Sequence, residues 1–252
     1  MTDNTFVFVA PMRNASATVG QMLASIVGQS YHNWRIILID DASDHHEVVK
    51  EVEVINRWRA MVTPGWVPNM IVHDKIDVVW NDDRLWEVAN VLKGISMCED
   101  EDVVCRIDGD DYLTDLDALA ILNVIYNQTG ADALWTAHRW ALSDKNISGP
   151  MPEGAVDVYK HPWVSSHLKT FRKRLINGVN DVNFRGPDGE YVRRAGDQAL
   201  YLPILHQATK RGFVPRVFYH YTIKDEPATY QTPDARFQRD EAVFLRQRGY
   251  VK

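Results

Sequence analysis

Residues 105–113 read CRIDGDDYL, an apolar-flanked run that sets Asp108, Asp110 and Asp111 within four positions. Like charges repel and burial penalises each carboxylate, so this crowding at the end of a buried strand calls for a positive partner. A second acidic pair, Asp40 and Asp41, closes the run WRIILIDD. Asp-x-Asp at a strand end can hold a hard divalent cation through one or two carboxylates, with diphosphate oxygens and water in the other positions. A cation so placed neutralises a departing diphosphate. By itself the motif is common, and an isolated match is more often a solvated turn. Other chemistry is excluded more firmly. A calcium loop counted from Asp108 needs glycine and glutamate where the chain has Leu113 and Leu119. No GxxxxGK[ST], GxGxxG or GxSxG occurs.

The elements that would carry these carboxylates follow from periodicity. FVFVAP, 6–11, is a short β-branched and aromatic run ended by proline and leads into a loop. Val19, Met22, Leu23, Ile26 and Val27 then fall at helical spacing, with Asn14 or Ser16 able to cap the start. WRIILIDDAS is near-continuously apolar, as expected of a parallel strand covered on both faces. A helix over 47–61, a turn at TPGWVPN, one or two strands in MIVHDKIDVVW, a helix from about 83 to 98 and a strand over 102–108 continue the alternation. Alternating strands and helices imply an α/β fold with a mostly parallel, doubly wound sheet, whose ligands bind beyond the strand C-termini. Both acidic clusters sit at such ends.

The second half is less regular. LDALAILNVIYNQTG reads as a helix, ADALWTAHRWAL as a strand and SDKNISGPMPEG as a loop. Residues 163–176 and 196–211 are expected to be helical, RGFVPRVFYHYTI a closing strand pair, and the tail from about 234 to 249 an amphipathic helix.

The chain of 252 residues, 45% of them apolar, suits one globular α/β domain. No apolar run approaches the ~18 to 20 residues of a membrane span, and MTDNTFVFVAP lacks the features of a signal peptide. A cytoplasmic location follows as the expectation, in which Cys98 and Cys105 are reduced and buried. The sequons at Asn14, Asn127 and Asn146 are then coincidental. Net charge is −6, but unevenly spread: residues 1–130 hold 9 Lys and Arg against 21 Asp and Glu, and residues 131–252 hold 19 against 13. An acidic half that takes a metal and a basic half that faces an anionic partner is one meaning of that split.

APMRNASATVGQMLASIVGQSYHNWRIILIDDAS, followed about 70 residues later by VLKGISMCEDEDVVCRIDGDDYL, resembles the GT-A glycosyltransferases of the family-2 type, well over residues 6–115 and loosely beyond. The resemblance implies a nucleotide-sugar half over 1–115 and an acceptor half with a helical tail over 116–252. It places Pro11 and Asn14 beneath the nucleotide and Asp41 against the base or ribose. Asp108 would meet ribose or donor sugar, and Asp110, assisted by Asp111, would ligate Mn²⁺ or Mg²⁺. Family members carry an arginine ahead of the helix before the acidic motif. DDRLWEVANVLKG departs from that pattern, and Arg84 is the substitute. Asp197 in RRAGDQALYLPIL matches the position of the catalytic base and could also cap its helix. His220 in YHYTIKDEP is the candidate for metal or diphosphate, and Arg172, Lys173 and Arg174 read as a solvated helix face.

The implied activity is inverting, metal-dependent transfer from a nucleotide diphosphate sugar, a UDP-sugar first, to a glycan or other soluble acceptor. An alternative is glycosylation of hydroxymethylated bases in DNA, as in a viral enzyme of the host cytoplasm. The basic half with Trp135, Trp140 and Trp163 would then receive a flipped base. From another class, a non-catalytic sugar-nucleotide binding module or a nucleotidyltransferase would share a similar sheet. The nucleotidyltransferase needs a Gly-rich basic first loop, and APMRNASATVG has Arg13 alone.

Overall fold

The structure is a computed structural model that describes residues 3–61, 72–140, 145–152, 154, 156–222 and 233–252. The expected turn TPGWVPN and the end of RGFVPRVFYHYTI lie outside the described residues. In chain order the elements are β1 Phe6–Met12, α1 Val19–Val27, β2 Trp34–Asp40, α2 His45–Arg59, β3 Ile76–Trp80, α3 Trp86–Ile95, β4 Val103–Arg106 and β5 Tyr112–Leu113. They continue as α4 Ala118–Thr129, β6 Ala133–Trp140, β7 Lys169–Arg172, α5 Gly196–Gln207, β8 Arg211–Tyr221 and α6 Pro233–Arg248.

One sheet of eight strands forms among the described residues, in the order β3-β2-β1-β4-β7-β6-β8-β5. The β3-β2-β1-β4 part is parallel, as expected. Beyond it the sheet is mixed: β7 runs antiparallel to β4 and β6, β8 parallel to β6, and β5 antiparallel to β8. Side-chain alternation in β1 explains the two layers. Phe6, Phe8 and Ala10 join the core beneath α1 and α4, whereas Val7 and Val9 join the core beneath α3 and α5. Both faces are covered, which is why β1 is apolar throughout and β2 nearly so. At Gly94 in α3 an added Cβ would lie 2.5 Å from Val9, so this helix rests directly on the strand.

Three expectations need correction. Residues 163–176 are not a helix: Lys169–Arg172 form β7 between β4 and β6, followed by a 3-10 turn at Lys173–Ile176. Leu168, Phe171 and Leu175 have helical spacing, but two open strand neighbours give this backbone ladder partners on both sides, and tertiary pairing overrides the pattern. The closing strand pair is a single strand, β8. It accommodates Pro215 at an irregularity where Val214 pairs with Thr136 and Val217 with Ala137. Finally, β1 does not end at Pro11 but continues to Met12. The Pro11 carbonyl accepts from Gly109 N at 3.2 Å, on the side where the β4 ladder has already ended, so the missing N–H leaves no partner unmet.

Candidate active site

The chain reverses its strand order between β1 and β4, since β2 and β3 lie to one side of β1 and every later strand to the other. At that switch point a cleft of about 410 Å³ opens beyond the strand C-termini. Pro11 and Arg13 reach it from β1, Asp41 from β2, and Asp108, Gly109 and Asp110 from the loop after β4. Arg84, Glu87 and Asn90 enter from α3 and the residues before it, and Arg194 from the approach to α5.

Gly109 permits the close approach of the acidic loop to β1, because a Cβ there would lie 2.6 Å from Met12 Cβ. The crowding of carboxylates is met from inside the same stretch. Arg106, 4% exposed, donates from Nη2 to Asp108 Oδ1 at 2.7 Å and to Glu87 Oε1 at 2.8 Å. Burial pushes the Glu87 carboxyl up to about 7 against the pull of Arg106, with Asp197 and Asp108 adding to the rise. Asp111 points elsewhere. Tyr219 Oη donates to its Oδ2 at 2.6 Å and Thr222 N to its Oδ1 at 2.7 Å, and burial, with Asp108 nearby, pushes it up to about 8.

The remaining sequence candidates divide. Asp41 accepts from Leu85 N at 2.6 Å and from Trp86 N, so it caps the start of α3 while lining the cleft. Arg84 Nε stands 3.6 Å from Asp41 Oδ2 and its guanidinium 3.6 Å above the Trp86 ring, whose other cation contact is Arg194 at 4.8 Å. Asn14, at φ +51°, does not line the cleft; it brackets the first loop to Asp44 with 2.9 Å bonds in both directions. His220 stacks on Tyr112 with centroids 4.4 Å apart and lies outside the cleft lining. Arg172, Lys173 and Arg174 form no helix face; they tie β7 and the turn after it to the loop before β4 through Glu101 and Asp100, and to the residue before β6 through Asp132.

Asp197 lies in the first turn of α5 and caps nothing, the cap position being Ala195. The segment is held instead by the buried Glu241 of α6, which accepts from Arg193 N, Arg194 N and Ala195 N at 2.8–3.0 Å. The Asp197 carboxylate meets Lys169 Nζ of β7 at 2.6 Å and stands 3.7 Å from His167 Nε2. Burial alone would raise its pKa, but Lys169, His167 and Arg106 hold it well below the usual carboxylate range.

The sequence model of glycosyl transferase family 2 matches residues 7–186, which include the cleft strands and both acidic clusters. The chain belongs to glycosyl transferase family 2. No match was found among curated proteins. Among solved structures the family-2 chain is similar to TarS of S. aureus, with TM-score 0.66 and 15% identity over 87% of this chain and 37% of TarS. It is similar also to TarS 1–349 solved with UDP-GlcNAc, at TM-score 0.65 and 14% identity over 90% of this chain and 61% of that one. TarS 1–349 with UDP gives TM-score 0.61 and 14% identity, covering 87% and 61%. The chain therefore spans between 37% and 61% of the length of these proteins, and at such identity the likeness is one of fold. That fold is the GT-A arrangement expected from the sequence.

Several side chains at this cleft were not singled out by the sequence reading. Glu87, Asn90 and Arg194 line the cleft, and Arg106 and Lys169 supply buried positive charge beneath it. Asn90 is 1% exposed and its Nδ2 has no partner among the described residues, which leaves a buried donor at the cleft wall. Helical spacing in WEVANVLKGI could have flagged Asn90 as a polar residue on the buried face of α3.

Proposed function

We propose that the chain transfers a sugar from a nucleotide diphosphate sugar, with a UDP-sugar as the first donor to test, to an acceptor hydroxyl with inversion. The observation that carries this reading is the convergence of Asp41, Asn90, Asp108 and Asp110 at the switch-point cleft, with Asp197 in the first turn of α5, which starts against the cleft residue Glu87. The likeness in fold to a protein solved with UDP and UDP-GlcNAc supports the choice of uridine nucleotides.

Among the described residues no three His, Cys, Asp or Glu side chains gather as a metal-binding group. Asp108 and Asp110 are nonetheless two hard carboxylates on one loop at the cleft, a donor set that suits Mn²⁺ or Mg²⁺ completed by diphosphate oxygens and water. Such a cation would neutralise charge on the departing diphosphate. Asp110 is the principal ligand in this reading and Asp108 the second, while Asp111 and His220 support the loop from behind. Asp41 and Arg84 flank the nucleotide, and the free Nδ2 of Asn90 donates to it. Asp197 takes the acceptor proton as the new glycosidic bond forms, for which its ionised state is the competent one.

The test is a panel of nucleotide sugars with Mn²⁺, followed by hydrolysis and by transfer to saccharide and hydroxymethylated DNA acceptors. D110N should lose metal-dependent nucleotide binding. D197N should keep UDP affinity and lose about 10²- to 10⁴-fold in turnover. Failure to bind any nucleoside diphosphate in the presence of metal would sink the reading, and a fully active D197N would remove Asp197 from it.

A further inference from the structure

Lys169, the first residue of β7, is 2% exposed, and its ammonium sits 2.6 Å from Asp197 Oδ1 and 3.4 Å from His167 Nδ1. A buried lysine without a structural partner would be costly, and this one has its partner in the first turn of a different element. Val91, Ile95, Phe171, Leu200, Tyr201 and Ile204 line a small cavity against Lys169 and Asp197, so the pair is screened by little water on that side. His167 is itself fixed: it stacks on Tyr219 at 4.6 Å and on Tyr221 at 5.4 Å. Burial, with Lys169 next, lowers its pKa to about 3, so the ring is neutral. With Nδ1 facing the ammonium as acceptor, the ring proton lies on Nε2, 3.7 Å from Asp197 Oδ2.

The two carboxylate oxygens are therefore unequal. Oδ1 is committed to Lys169, whereas among the described residues Oδ2 meets only a longer contact and belongs to a side chain 35% exposed. We propose that Lys169, aided by His167, is a positioning residue that clamps Asp197 through Oδ1 and presents Oδ2 to the acceptor hydroxyl. This rests on the reading of Asp197 as the base. The clamp leaves the base ionised and restricted to one rotamer without itself touching substrate, so the contribution is orientation and charge. Among the described residues the other titratable groups that interact with Asp197 are Arg106 from β4, Glu87 from α3, whose carboxylate abuts Gly196, His138 from β6 and Tyr221 from β8.

The test compares wild type with K169M, matched in length, and K169Q, which returns a hydrogen-bond donor without the charge. A ¹³C-carboxyl NMR titration of the full chain, with the Asp197 signal assigned by its loss in D197N, reads the clamp without any substrate. In wild type that carboxyl should stay ionised from pH 8 down to pH 4. In either variant its midpoint should rise by about two pH units or more. UDP-GlcNAc hydrolysis with Mn²⁺ should show kcat reduced about tenfold at pH 4 and recovering toward pH 7, with KM within about threefold of wild type. K169R should restore the wild-type pH profile. An Asp197 titration identical in wild type and both variants would overturn the proposal whatever the turnover. A shifted titration together with a fully active D197N would instead refute Asp197 as the base and leave the clamp purely structural.

Discussion

Asp108, the first carboxylate of CRIDGDDYL, is held by an arginine two positions before it. The buried Arg106 bridges the partly exposed Glu87 and Asp108 at 2.8 and 2.7 Å. Removing the buried arginine leaves two partly exposed carboxylates without their cation, so R106M is expected to cost about 2–4 kcal/mol in urea unfolding. His138 makes a second prediction at this scale. Its Nε2 accepts from Trp140 Nε1 at 3.0 Å, and burial first, then Lys169, lowers its pKa from 6.5 to about 4. The unfolded chain takes up that proton below about pH 6.5, while the folded chain refuses it until about pH 4. This contribution to stability is full above pH 6.5 and is lost as pH falls through that window, by on the order of 3 kcal/mol. Thermal melts from pH 7.5 to 4 should show the loss, and H138Q should flatten the slope. At the same scale, Cys98 and Cys105 are buried free thiols, and burial pushes Cys98 up to about 12, so native protein should resist maleimide until it is denatured.

At the scale of elements, the site depends on a helix that never enters it. Glu241 of α6 caps the approach to α5 with three backbone N–H bonds, and so fixes where Arg194 and Asp197 stand. E241A should destabilise the chain by about 2–4 kcal/mol in urea and lower turnover well before it lowers nucleotide affinity, because the donor strands β1, β2 and β4 are untouched. The helix over the tail was legible from its spacing, but its capping of α5 was not. That contact joins residues separated in sequence by 46 to 48 positions and by the whole of β8. Strand β7 was missed for a related reason. Its local pattern favours a helix, and only the gap between β4 and β6 makes it a strand. With it went Lys169, which a helical reading leaves on an unremarked turn.

At the scale of the whole molecule, no helix among the described residues is long and apolar enough to cross a membrane. The charge split of the chain bears on the acceptor. A polyanion binding the basic half would release counterions and lose affinity steeply with salt, whereas a neutral saccharide would not. For a saccharide acceptor, raising NaCl from 0.1 to 0.3 M should change kcat/KM less than about threefold; a loss of tenfold or more would favour a nucleic-acid acceptor. The parallel strand-helix alternation, the two acidic strand ends and the family were set by local pattern alone. Burial on both sheet faces forces continuous apolar strands, and a ligand site at their ends needs carboxylates at fixed spacing. Which charges balance those carboxylates was decided by the tertiary structure. Arg106, Lys169, Glu87 and Glu241 act across strands and helices distant in sequence, where only the packed sheet brings them within hydrogen-bond reach.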